Sequence, residues 1–252
     1  MQNAILVGLS REIALERELS VVANNIANMN TSGYKADGSV FEEYLSSRAR
    51  GAETGSRVSF VQDRGIWHDM GVGSIEQTGN PLDAAISGQG FFVVQTPNGE
   101  RYTRNGSFQI NADGELVTSD GYEVLGDGGP IRFQRNDRQI EISPDGTVSV
   151  REGSSIEDSQ RGKLRLVTFA NLQQLHKDGN SLFSAGADMQ PQPVDPRTTV
   201  IQGSIEKSNV HAVVEMSRMI EITRSYAQVA AMLQQQADLG QSSINKLADV
   251  PA

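Results

Sequence analysis

The amino-acid sequence predicts an α+β protein in which a long helix at each end of the chain encloses a β-rich middle. Apolar residues recur at heptad spacing near both termini, and turn dipeptides separate short strand-like runs between them. A hydrophobic fraction of 37% in 252 residues is enough for a buried core. The expected division is an N-terminal helix over residues 1–30, an extended connecting segment over 31–79, a β-rich domain of sandwich or barrel type over 80–204, and a C-terminal helix over 205–252.

In the first helix Leu15, Leu19, Val22, Ile26 and Met29 step by four, three, four and three, so one stripe faces a partner. Ile5 extends the stripe backwards, although Gly8 and Glu12 fall on its seam. The stop signal is Asn30-Thr31-Ser32-Gly33. The connecting segment is rich in Gly and Ser from about Gly51 to Gly79. In the middle, Phe91–Gln95 and Glu100–Thr103 flank Pro97-Asn98-Gly99 and read as a hairpin. Further turns stand at Asn105-Gly106, Asp113-Gly114, Asp120-Gly121, Asp127-Gly128 and Asp145-Gly146. The last helix is capped by Ser208 or Asn209 and runs from about Val210 to about Leu247. Met219, Ile222, Tyr226, Val229 and Leu233 form its main stripe. Val213, Met216, Ile220, Ala227 and Ala230 form a second stripe beside it, and one partner helix does not cover both.

Chemistry is thinly represented. The sequence lacks a nucleophile elbow, a P-loop and an H-E-x-x-H run. His68, His176 and His211 have no ligand-like spacing, and "NADGE" at 111–115 reads as a turn, so neither a metal nor a cofactor is expected. Catalytic residues and a small-molecule substrate are likewise not expected. A net charge of −9 without basic runs argues against nucleic acid as a partner. The absence of cysteine removes disulfides and thiolate metal sites. The apolar run Ala4–Leu9 is short, is not preceded by basic residues and leads into Arg11-Glu12, so it reads as neither a secretory signal nor a membrane span.

The remaining signal lies in the helices. Asn is a weak helix former because its amide competes for backbone hydrogen bonds. Asn24, Asn25 and Asn28 nevertheless gather around Val21, away from the apolar stripe, while Ala23 and Ala27 form a third edge. The C-terminal helix carries Gln228, Gln234, Gln235, Gln236 and Gln241 where a solvated helix would hold charges. Amides donate and accept at once, which suits contact with several neighbours. The expectation is a polymerising subunit whose stripes, with Asn24, Asn25 and Asn28 turned sideways to other subunits, form the assembly interface.

"NNIANMNTSGYKAD" resembles the N-terminal signature of the flagellar axial proteins, the rod and hook subunits of the bacterial basal body. "ISGQGFFVV" with "YTRNGSFQINADGELVTSDGYEVLG" is similar to their shared β-domain. "GSIEKSNVHAVVEMSRMIEITRSYAQVAAMLQQQ" is similar to their C-terminal helix, with Gly203, Glu206, Ser208, Asn209 and Val210 at its entrance. The resemblance implies a non-enzymatic structural subunit of the tubular drive shaft, in the periplasmic rod of the basal body. Terminal helices of many copies would line the channel and the β-domains would stand outside. Its length and lack of an inserted outer domain favour a rod subunit over a hook subunit, of proximal type, with the distal type as alternative. The implied partners are copies of itself, other rod proteins and the flagellar type III export apparatus, with export lacking a cleaved leader. Phe41 and Leu45 fit the short motif read by the export gate in this family. From the residues alone, a secreted oligomeric binding module is the rival reading, and a cell-wall hydrolase a more distant one that no carboxylate pair supports.

Overall fold

Helix α1 spans Gln2–Ala27 in the computed structural model, which describes residues 2–45, 59–153 and 157–248. It stops two residues before the end of the predicted stripe. The chain turns at Asn28, whose carbonyl accepts from the Thr31 amide at 3.1 Å, and Gly33 then takes φ +69°. Met29 therefore lies in the turn rather than on the helix.

The fold divides into two units. The first comprises Met1–Ala27, Asp37–His68 and His211–Ala252, and the second Asn28–Ala36 and Asp69–Val210. In the first unit α1 packs against an antiparallel hairpin of β1 (Asp37–Leu45) and β2 (Ser59–His68), in register from Asp37 opposite His68 to Leu45 opposite Ser59, with a bulge between Val40 and Phe41. This hairpin lies within the segment read as a connector. Its two strands are separated in sequence by a long Gly-, Ser- and Arg-containing run, so it carries none of the tight-turn chemistry that marks a hairpin.

In the second unit the chain forms β3 (Ile75–Gln77), β4 (Ala84–Ser87), β5 (Phe91–Thr96), β6 (Gly99–Thr103), β7 (Phe108–Ile110), β8 (Leu116–Thr118), β9 (Glu123–Gly126) and β10 (Gly129–Pro130). There follow β11 (Asp137–Ile142), β12 (Thr147–Glu152), β13 (Asp158–Lys163), β14 (Leu166–Thr168), β15 (His176–Gly179), β16 (Leu182–Ser184), β17 (Gln192–Pro193), β18 (Thr199–Gln202) and β19 (Ser204–Glu206). The main sheet has the order β15-β16-β6-β5-β9-β8-β7; β10 joins β9, β14 joins β5, and β17 joins β14. A three-stranded sheet β11-β12-β13 and the pairs β18-β4 and β19-β3 complete the unit.

Successive strand residues face opposite sides, and β5 is buried on both. Phe92 and Val94 enter a core with Phe108, Leu116, Ile131 and Leu164, while Phe91 and Val93 enter another with Tyr102, Phe169 and Phe183. That is why the run Phe91-Phe92-Val93-Val94 is apolar throughout instead of alternating. The Asp-Gly turns supply left-handed backbone at Gly114 (φ +83°), Gly121 (+85°) and Gly146 (+86°), which a side chain would strain.

Helix α2 closes the first unit over Ala212–Ala248. Neither predicted cap serves it: the Ser208 hydroxyl accepts from the Val210 amide at 3.2 Å, and the Asn209 side chain is engaged with the backbone of residues 36, 69 and 71. The two helices run antiparallel. Asn25 meets Glu215, Glu18 meets Arg218, Glu12 meets Tyr226, and Gly8 lies under Leu233.

Candidate assembly surface

Helices α1 and α2 pack against each other, and the members of the predicted stripes differ in burial, with Met29 outside α1. Val22, Ile222 and Val229 are buried, while Leu15, Leu19, Ile26, Met219, Tyr226 and Leu233 are half-buried. Gly8 permits the approach at the far end: a Cβ there would lie 2.5 Å from Leu233 Cδ2. Near the other end Glu18 Oε1 accepts from Arg218 Nε at 3.1 Å. The Tyr226 phenol is pushed above its ordinary pKa by its hydrogen bond to Glu12 and by the carboxylate charge there.

The three helix asparagines occupy three environments. Asn25 is 1% exposed and is turned inward, not towards a neighbouring subunit as the spacing suggested. Its amide donates to the Asp37 carbonyl at 2.8 Å and accepts from the Asp37 amide at 2.9 Å, a two-way match to the first residue of β1. The same Nδ2 donates to Glu215 on α2 at 3.3 Å, so one side chain ties three elements. Asn28 lies in the second unit, beyond the helix end, where its Oδ1 accepts from the Thr31 hydroxyl at 3.2 Å. Asn24 alone is exposed, on the helix surface.

Large apolar side chains remain in water on both helices. On α1, Leu6, Leu9 and Ile13 are exposed, and helical spacing places them on the face that carries Asn24 and Ala27. On α2 the second stripe, Val213, Met216, Ile220 and Ala227, stands exposed on one flank of the seam, with Val213 78% exposed; Ala230, its last predicted member, is half-buried. Val214, Met232 and Leu239 are exposed on the other flank. Scattered apolar surface residues are ordinary, whereas contiguous stripes mark an interaction surface. Phe41 and Leu45 have their backbones in β1, opposite Asp63 and Ser59, and their side chains lie outside the described residues.

Sequence reasoning missed a polar cluster in the second unit. Lys35, Arg104 and Glu206 are buried together, with the Lys35 ammonium 2.5 Å and the Arg104 Nε 2.8 Å from the two Glu206 oxygens. Lys177 lies over the Tyr34 ring at 3.6 Å and donates to the Lys35 carbonyl at 2.9 Å. The signal available in the sequence was that Lys35 and Glu206 each fall inside a signature run. Among the described residues no three His, Cys, Asp or Glu side chains converge to hold a metal ion, and no helix is long and apolar enough to cross a membrane.

Comparison with known proteins matches three blocks of the chain. Residues 5–35 match the family described as flagella basal body rod protein, residues 85–150 the flagellar hook protein FlgE/F/G D1 domain, and residues 201–247 the flagellar basal body rod FlgEFG protein C-terminal region. The chain is 40% identical to the flagellar basal-body rod protein FlgF of Caulobacter vibrioides, across 99% of this chain and 100% of the relative. It is 36% identical to FlgF of Mesorhizobium japonicum across 98% of each, and 35% identical to the flagellar basal-body rod protein FlgG of Agrobacterium fabrum across 89% of this chain and 91% of the relative.

Proposed function

The chain belongs to the flagellar basal-body rod protein family, and from that premise we propose that α1 and α2 are the elements through which it polymerises into the drive shaft. It is a structural rod subunit of the basal body, not an enzyme, and it assembles with other rod proteins. The observation that carries the helix reading is the pair of exposed apolar stripes beside an already satisfied seam, Leu6-Leu9-Ile13 on α1 and Val213-Met216-Ile220 on α2. In the assembled tube these stripes pack against helices of neighbouring copies in coiled-coil fashion. Each buried side chain then contributes about 1.5–3 kcal/mol, and the shaft transmits torque from motor to hook through many such contacts.

A proximal position in the rod is favoured over a distal one by the FlgF relatives, which share more identity and more of the chain than the FlgG relative. Recognition by the flagellar export apparatus through Phe41 and Leu45 belongs to the same reading; replacing both with Ala lowers the amount of subunit exported while leaving its cellular level unchanged.

The assembly test replaces Ile13 and Ile220 with Asp in the full chain. Both side chains are exposed in the subunit, so the monomer should keep its stability within about 0.5 kcal/mol. Basal bodies isolated from cells carrying the double variant should lack a complete rod. Motile cells with intact rods would refute assembly through these stripes, and a closed small oligomer of the purified wild-type chain would favour a binding module instead.

A further inference from the structure

Residues 31–36 and 204–209, from opposite ends of the sequence, meet inside the second unit around one carboxylate. Glu206 is fully buried; its Oε1 takes the Lys35 ammonium at 2.5 Å and the Gly73 amide at 2.9 Å, and its Oε2 lies 2.8 Å from Arg104 Nε. Lys35 also donates to the Gly71 carbonyl at 2.7 Å, and Arg104 to the carbonyls of Gly90 at 2.7 Å and Gly88 at 3.0 Å. The Glu206 carbonyl accepts from the Gly33 amide at 2.8 Å. At Gly33 a Cβ would stand 2.3 Å from the Asn105 nitrogen, so Gly33 is seated against backbone and not against a yielding side chain.

Three of the four points where the chain enters or leaves this unit, at residues 36, 69 and 210, lie at the same place. The Ala36 amide donates to Asn209 Oδ1 at 2.8 Å, the Asp69 amide donates to the Ala36 carbonyl at 2.8 Å, and Asn209 Nδ2 donates to the carbonyls of Asp69 at 2.8 Å and Gly71 at 3.2 Å. Burial pushes the Lys35 ammonium and the Arg104 guanidinium below their ordinary pKa values, with Glu206 opposing the shift in both. Charged groups removed from water in this way are a poor source of stability, because apolar side chains of similar volume fill such a space without losing hydration. What charges add is direction: each accepts only a few geometries.

We infer that Lys35, Arg104 and Glu206 are positioning residues, a buried ionic clasp that holds three of the four places where the chain enters or leaves the second unit, residues 36, 69 and 210, at fixed mutual spacing. A load entering at any one exit is thereby shared by all three passages. The clasp is a property of the second unit whether or not the helices polymerise.

Lys35→Met in the full chain tests this, because Arg104 and Glu206 remain as a neutral pair and no buried charge is left alone. Hydrogen exchange is followed at Ala36, Gly71 and Gly73, at the exits, and at Val93 and Tyr102, in the core sheet. A pair of spin labels at Asn30 and Asp113, both exposed, reports the seating of the first run. The expected result is exchange faster by roughly ten-fold or more at the exits with the core sheet unchanged, a broadened label distance, and a narrow distance restored by Lys35→Arg. Parallel acceleration at the exits and the core, or a chain that fails to fold, would make Lys35 a residue of bulk stability and overturn the clasp. So would exits as protected and a distance as narrow as in the wild type.

Discussion

Asn24 and Asn25 are neighbours in sequence with opposite surroundings. Asn25 is matched to both backbone groups of Asp37 and reaches Glu215, whereas Asn24 faces outward with Leu6, Leu9 and Ile13. Asn25→Ala removes one partner from each of those groups and leaves them partly buried, a change that costs about 1–3 kcal/mol. The expected signature is lower urea resistance of the helical signal and faster exchange at the Asp37 amide. Asn24→Ala, at an exposed position, should cost the subunit less than Asn25→Ala and raise helicity slightly, since Ala is the better helix former. Equal stability of the two variants would refute the distinction. Nothing in the spacing of residues 21–29 separates these asparagines: a helical wheel gathers them on one side, and the partners of Asn25, Asp37 of β1 and Glu215 of α2, come from beyond the helix. The same holds for Lys35 and Glu206, which read locally as solvated charges because their pairing spans 171 positions.

At the scale of elements, local chemistry was legible and pairing was not. The hairpin β5–β6 follows from its Pro97-Asn98 turn, and the Asp-Gly turns follow from residues that tolerate left-handed backbone. Placing β16 beside β6, or β14 beside β5, requires partners some 70 to 80 residues apart, which periodicity does not encode. The sheet β11-β12-β13 shows how such pairing is pinned. Arg161 donates to both Asp137 oxygens, at 2.8 and 2.5 Å, and to Glu152 at 2.7 Å, bridging the outer strands across β12. The hydrogen bonds from Arg161 hold the Asp137 carboxyl below the usual carboxylate range. A carboxylate whose pKa is lower in the folded state binds its proton more readily when unfolded. Its stabilisation is therefore complete above the unfolded value of about 3.9 and is lost as pH falls through the folded value. Asp137→Asn should lower stability at neutral pH and flatten its decline below about pH 4. Acid titrations of exchange in β12, superimposable for the two proteins, would refute this account of the sheet.

At the scale of the whole molecule, apolar burial among the described residues is divided unequally between the units. Among the described residues the buried apolar side chains of the first unit are Ala14, Val21, Val22, Ile222 and Val229, whereas the second unit holds two full cores around β5. The described apolar side chains of α1 and α2 are mostly exposed or half-buried, and elements held by few buried apolar contacts open at low free energy. In the proposed assembly the exposed stripes of these helices gain partners when copies meet, and anything that binds the folded form raises stability by mass action. The single tryptophan, Trp67, lies in β2 of the first unit with its indole across Gly38, and its fluorescence reports that unit alone. In dilute solution, loss of the Trp67 signal and of helical circular dichroism should therefore precede loss of exchange protection at Val93 and Tyr102 as urea rises. The first transition should move to higher urea as protein concentration increases, and the second should stay in place. A single transition with all probes coincident at every concentration would mean that the helices are as firmly folded in the isolated subunit as the sheet, and that polymerisation is not what completes them.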